Sequence, residues 1–288
     1  MSIRKVKVVA VLPVGSGNDG IDTIESIFFY LTPSVHIIVI DDSKNHLTAE
    51  RLRNIDERIS VMEAEGHGIG GGLWTNLARA YKYAVENFEF DVLLRIDTDA
   101  LIIAKHPENE AIEIFKQDPT IGMLGSYKVD CNGDERSFKI SASSLRKESG
   151  IRGILNLKRR KLLRDWIKEA KMNNYQVGEH ILGGADFQSY SCIKTMSDRG
   201  FLDTSLFLDS GISEDFLFSL LTCTSGYRLS DFATGDFPMG LRWQGLPDSP
   251  QNLIKRGKKV IHSTKFWKDI NQKSIHEFFK QQRDKEKN

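Results

Sequence analysis

The chain has 288 residues, of which 40% are hydrophobic and 27% charged, a balance that fits a globular protein of one large or two small domains. It excludes a disordered or collagenous chain, and the net charge of +1 gives no overall basic character suited to nucleic acid. Cys131, Cys192 and Cys223 form no CxxC pair, which argues against a disulfide framework or a zinc knot. The basic N-terminus leads into an apolar run only a strand long, so the expectation is no signal peptide, no membrane span and a cytoplasmic location.

In chain order, residues 5–12 read as a buried strand stopped at Pro13, followed by a Gly-rich loop, a helix over residues 22–31 and a second apolar strand over residues 36–40. That strand closes on Asp41-Asp42-Ser43. Strand, helix and strand in this space make a βαβ unit with parallel strands. Gly15, Gly17 and Gly20 spell GxGxxG, which keeps an NAD(P)-dependent dehydrogenase in view. Against it, Asp19 and Asp22 bring negative charge to the helix N-terminus where a pyrophosphate would sit.

Thr48 is a candidate cap for a helix to Glu57, and residues 58–62 form a third strand. The loop over residues 65–72, which contains Gly70, lacks enough side chains for its backbone to approach a ligand closely. A helix over residues 73–85 leads into an apolar run over residues 90–103, interrupted by Asp97 and Asp99. On an extended segment these two carboxylates share a face, and two converging anions are best tolerated around a divalent cation. A solvated Asp pair in a turn is the plainer alternative. Arg95 shares their alternation and is expected to pair with Asp97 in a structural role.

Pro107 opens a helix to Lys116, and a strand follows over residues 121–127. Residues 139–171 then carry eleven Lys or Arg against Glu148, Asp165 and Glu169, an excess of eight that leaves the rest of the chain acidic. Ile151, Leu155, Leu162 and Trp166 are interleaved at near-helical spacing. Two outcomes stay open: an interfacial helix that meets an anionic membrane, or a stripe packed on the body with its charges in water. Beyond it, residues 180–196 read as strand, Gly-Gly loop and helix. Ser213-Glu214-Asp215 reads as a helix start with two acids in its first turn, and residues 258–265 as a short strand ending at His262.

The order of these parts resembles that of the GT-A glycosyltransferases, closest to the family 2 type, over about residues 5–266. The resemblance implies a GT-A type Rossmann-like open mixed sheet flanked by helices, forming a single domain over residues 1–270. Its nucleotide-binding half would be residues 1–104 and its acceptor-binding half residues 105–270; from the residues themselves, 139–178 reads as a basic helical insert and 271–288 as a polar tail, helix or fray. It further implies transfer from a nucleoside-diphosphate sugar, UDP favoured, to a carbohydrate, lipid-linked or other hydroxyl acceptor, with Mn²⁺ or Mg²⁺ as cofactor. Asp97, Asp99 and His262 would hold the metal. Pro13, Asp41, Asp42, Gly70, Asn76, Asp97 and Lys265 would surround the donor, and Asp215 would be the base of an inverting transfer with Glu214 orienting it. A protein that binds nucleotide sugars without turnover is the remaining alternative. Residues 128–178 and 75–78 depart from the family pattern.

Overall fold

Apolar runs without polar members are buried on both faces, and such runs build the centre of this protein. The computed structural model describes residues 3–15, 20–43, 52, 55–65, 68, 70–150, 153, 156–203 and 205–287. Its strands are β1 (Arg4–Lys5), β2 (Val8–Val14), β3 (Val35–Asp41), β4 (Ile59–Glu63), β5 (Phe88–Glu89), β6 (Val92–Ile96), β7 (Ala100–Ile102), β8 (Ile121–Gly125), β9 (Ala185–Ser189), β10 (Arg228–Asp231), β11 (Met239–Leu241), β12 (Val260–His262), β13 (Phe266–Trp267) and β14 (Ile270–Asn271). Its helices are α1 (Ile21–Tyr30), α2 (Gly71–Asn87), α3 (Pro107–Gln117), α4 (Lys139–Ser149), α5 (Leu157–Met172), α6 (Tyr190–Asp198), α7 (Glu214–Thr224), α8 (Pro250–Lys255) and α9 (Gln272–Lys287). The cap and helix proposed between Thr48 and Glu57 fall largely outside the described residues, as do Gly17, Ile151 and Leu155.

The strands form an open, mixed, Rossmann-like sheet of order β10-β8-β9-β6-β2-β3-β4. β2 is parallel to β3 and β6, and β4 is parallel to β3, whereas β9 runs antiparallel to both β6 and β8. Alternate side chains of β2 leave opposite faces. Val9 and Val11 join a core built with Trp74 and Leu77 of α2, Ile193 of α6 and Leu217 of α7, while Val8, Ala10 and Leu12 meet Ile24 and Ile27 of α1 and Ile112 of α3.

Pro13 does not stop its strand. It lies within β2 opposite Ile40 of β3, while pairing with β6 ends at Val11, so the missing N–H falls where one neighbour has already left the ladder. Within residues 90–103 the strand β6 ends just before Asp97, and Ala100 N donates to Asp97 O at 3.0 Å, turning the chain into β7. β7 then joins a second sheet of order β11-β12-β7, in which His262 lies opposite Ala100. Residues 180–184 are loop, and the strand follows the Gly-Gly pair as β9 instead of preceding it.

The basic segment forms α4 and α5. Asn156 caps α5 by accepting from Arg159 N at 3.0 Å. Leu163, Trp166 and Ala170 are buried, and Trp166 stacks on Phe207 with ring centroids 5.3 Å apart. The apolar stripe is therefore packed on the body, with Leu162 and Ile167 half-buried against the same core. Among the described residues no helix is long and apolar enough to cross a membrane, and the three cysteines are buried and free.

Of helix or fray, the polar tail is the helix α9, docked by an i, i+4 apolar pair. Ile275 and Phe279 pack with Leu101, Leu253 and Ile261 beneath the second sheet, and His276 Nδ1 lies 2.7 Å from Asp22 Oδ2 on α1. Phe279 is 2% exposed. Its replacement by alanine is expected to lower unfolding stability by about 3–5 kcal/mol in urea titration, as truncation of a buried aromatic does. A loss below about 0.5 kcal/mol, the range of a surface site, would mean that α9 is not docked in solution.

Candidate functional site

The carboxyl ends of β2, β3 and β6 lie on one edge of the sheet, where the direction of chain connection changes between β2 and its neighbours. Such an edge is where open α/β sheets bind ligands. Asp41 ends β3, and Asp97 follows β6 directly. The Asp97–Asp99 turn carries the chain from this edge into the second sheet.

Asp97, Asp99 and His262 come together there, with one ligand atom from each within 4.8 Å of the others. The convergence comes from the turn and from the pairing of β12 with β7, rather than from one extended face. His262 Nε2 lies 3.5 Å from Asp99 Oδ1, and its Nδ1 is buried without a hydrogen-bond partner among the described residues. Two carboxylates and an imidazole with a spare ring nitrogen form a donor set that fits a divalent cation of the Mn²⁺ or Mg²⁺ kind. Asp99 also accepts from Ser263 Oγ at 2.7 Å and lies 3.4 Å from Lys265 Nζ. Burial alone would raise its pKa, but the hydrogen bond and charge of His262, the Ser263 hydroxyl and the Lys265 ammonium hold it below the usual carboxylate range.

A second group stands beside the first. Arg95 on β6 donates through Nη2 to Asp97 Oδ1 at 3.2 Å and to Glu214 Oε1 at 2.9 Å, joining the strand edge to the start of α7. The expected Arg95–Asp97 pair is present; the link to Glu214 was not anticipated. Glu214 also accepts from Ser213 Oγ at 3.0 Å, so the Ser213 hydroxyl serves Glu214 and makes no side-chain cap bond to the helix. Asp215 is buried, accepts from Gly183 N at 3.3 Å and has Oδ2 3.9 Å from His180 Nε2. Burial, with the Glu214 carboxylate next to it, pushes the Asp215 carboxyl above its ordinary range. His180 and its neighbour Arg136 carried no sequence motif. Arg136 Nη2 lies 2.9 Å from His180 Nε2, and Arg136 Nη1 donates to three backbone carbonyls.

The loop Gly183-Gly184 separates the two groups. Gly183 touches Asp215, and Gly184 has φ +99° with its α-carbon so close to His262 that a Cβ would sit 2.5 Å from the imidazole ring. Gly184 O accepts from Asp97 N at 2.8 Å. One dipeptide thus spaces the carboxylate of α7 from the Asp-Asp-His cluster.

No protein-family model matches the chain, and no curated protein sequence matches it. Solved structures do match: one is the apo structure of the WbbM bifunctional glycosyltransferase, at 13% identity and a TM-score of 0.49, over 96% of this chain and 50% of that one. This chain spans about half the length of that chain.

The remaining expected donor residues have positions of their own. Asp41 is buried and accepts from Ser43 N at 2.8 Å, and Asp42 accepts from Gly68 N at 3.1 Å, which ties the end of β3 to the Gly-rich loop. Gly70, at φ +69°, precedes α2, and Gly71 donates its N–H to Ser210 O at 2.9 Å. A side chain at Gly71 would meet Phe207 O at 1.8 Å, so the loop before α7 closes directly on the start of α2. Asn76 is buried, and its side-chain oxygen accepts from Glu65 N at 2.8 Å. Extending the β2–β6 register past Val11 and Arg95 brings half-buried Pro13 level with Asp97. Lys265 is exposed, with its Nζ beside Asp99.

Because Gly184 leaves room for the His262 ring, Gly184→Ala is expected to weaken Mn²⁺ binding about tenfold, as loss of support behind a ligand does. Calorimetric titration with Mn²⁺, beside an unchanged far-UV circular dichroism spectrum, measures this. Unaltered Mn²⁺ affinity would mean that His262 is not a ligand.

Proposed function

We propose that this chain is a metal-dependent glycosyltransferase of the GT-A type. It would move a sugar from a nucleoside-diphosphate sugar, UDP-sugar favoured, to an acceptor hydroxyl with inversion. The observation that carries the reading is the placement of the Asp97–Asp99–His262 cluster and the buried Asp215 carboxylate on either side of Gly183-Gly184 at the carboxyl edge of the sheet. The dehydrogenase reading is less well supported. A dinucleotide fold continues with parallel strands beyond the fourth, whereas here the neighbour of β6 is the antiparallel β9.

In this reading Asp97, Asp99 and His262 hold the cation, which when bound supplies charge stabilisation to the departing diphosphate. Lys265 adds a positive charge on the same side. Asp41 and Asp42 face the nucleoside from the end of β3, while Gly70 and Asn76 shape the loop and helix beside it. Asp215 takes the proton from the acceptor hydroxyl as its oxygen bonds to the anomeric carbon and the bond from that carbon to the diphosphate breaks. Arg95, bound to both Asp97 and Glu214, fixes the distance between the two poles. Glu214 therefore orients the start of α7 through Arg95.

Asp99→Asn is expected to abolish the gain in UDP affinity on adding Mn²⁺ while leaving the fold intact, as read by calorimetry with and without the metal. The same gain in the variant would place the metal elsewhere.

Asp215 acts only when ionised, so the transfer rate is expected to rise with pH through a midpoint above the ordinary aspartate value of about 3.9. Asp215→Asn should cut transfer about a hundredfold or more with donor affinity unchanged. The sign of its stability effect follows from the raised pKa. From about pH 4 upward, the unfolded chain ionises this carboxyl while the folded chain resists, so native stability declines as pH rises toward the folded value. The Asn variant should therefore gain melting temperature over wild type at pH 8 and gain little at pH 4. Equal differences at the two pH values, or undiminished transfer, would end the assignment of Asp215 as the base.

A further inference from the structure

The outer face of α4 lines an open cleft of about 520 Å³ with Lys139, Ile140, Ser143, Ser144, Lys147 and Glu148, and Gly211 borders it from the loop before α7. Lys139, Ser143 and Lys147 follow at i, i+4 and i+8, so two ammonium groups flank a hydroxyl along one helix stripe. Neither lysine has an ion-pair partner, and neither serine hydroxyl a hydrogen-bond partner, among the described residues. Glu148, the acid of the lining, is already engaged. Its carboxylate meets Arg159 Nε at 3.0 Å and accepts from Ser210 Oγ at 2.9 Å and Gly211 N at 2.8 Å. The cleft is thus cationic with spare donors, inside the segment whose sequence carries an excess of eight positive charges.

Its position ties it to the proposed reaction. Gly211 on its rim is four residues before Asp215. On the inner side of α4, Ser141 Oγ donates to Gly178 O at 2.6 Å, and the same carbonyl lies 2.9 Å from Nδ1 of His180, the imidazole facing Asp215. One helix therefore walls the cleft and supports the surroundings of the carboxylate. Ile140, 80% exposed, adds an apolar surface at the same opening.

We infer that this cleft binds a phosphate group carried by the acceptor. The inference rests on the glycosyltransferase reading for the word acceptor, and on the cleft alone for the phosphate. A tetrahedral dianion takes several donors at once, which suits two ammonium groups placed on either side of a hydroxyl along one helix stripe. The phosphate could be borne by a lipid or by a soluble sugar, and both present the same group.

The test is calorimetric titration of the full chain, with the donor site filled by UDP and Mn²⁺, using inorganic phosphate, octyl phosphate and neutral octyl glucoside. Wild type is expected to bind at least one phosphate probe, and Lys139→Ala/Lys147→Ala to bind it at least tenfold more weakly with UDP affinity unchanged. Both lysines are exposed, so the variant should melt with wild type. Tighter binding of octyl phosphate than of inorganic phosphate supports a lipid-borne group, and equal binding supports a soluble one. Absence of phosphate binding, equal affinity in the variant, or octyl glucoside binding as well as octyl phosphate overturns the inference. Failure of UDP to bind with Mn²⁺ in the same experiment would instead count against the glycosyltransferase reading.

Discussion

Arg95 is 1% exposed, and its guanidinium lies among three carboxylates: Glu214 at 2.9 Å, Asp97 at 3.2 Å and Asp186 at 4.0 Å. A charge so deep is stable only while paired, and removing one partner of a buried pair costs about 3–5 kcal/mol. Arg95 therefore joins β6, β9 and α7 more rigidly than apolar contact alone would. Its own strand is the centre of the sheet, so the Asp97 turn and the start of α7 are referred to one fixed point.

That single cation faces more negative charge than it can balance. Asp186 is pushed up to about 6 by burial, with Arg95 pulling the other way, and Asp215 is raised as well. Asp99 draws on His262, Ser263 and Lys265 instead. A site with this surplus of carboxylate is expected to favour a bound cation. The same surplus near Asp215 keeps a proton within reach of neutral pH. Electrostatics and topology thus converge: the sheet brings the groups to one edge, and their mutual repulsion sets what they can bind.

Much of this was legible in the chain because it is local. The βαβ opening, the burial of the apolar runs and the nomination of Asp97 and Asp99 follow from short-range pattern, whereas His262 was nominated only by the resemblance. What was not legible is mostly long-range. The Arg95–Glu214 bond spans 119 residues and leaves no periodic trace. Pro13 sits inside β2 because the ladder with β6 has already ended. Leu163, Trp166 and Ala170 have the spacing of an amphipathic helix, but spacing alone does not say what the apolar side packs on; the stack of Trp166 on Phe207 places that residue in the core. Ile275 and Phe279 were hidden in a polar context in the same way.

The central claim is that metal and nucleotide share one site at the end of β6. Equilibrium binding of Mn²⁺, followed by electron paramagnetic resonance at increasing UDP, addresses it through reciprocity, because two ligands that meet must change each other's affinity by the same factor. The account predicts one Mn²⁺ per chain whose affinity rises at least tenfold at saturating UDP, with UDP affinity rising by the same factor at saturating Mn²⁺. Independent binding of the two, with neither affinity altered by the other, would contradict it.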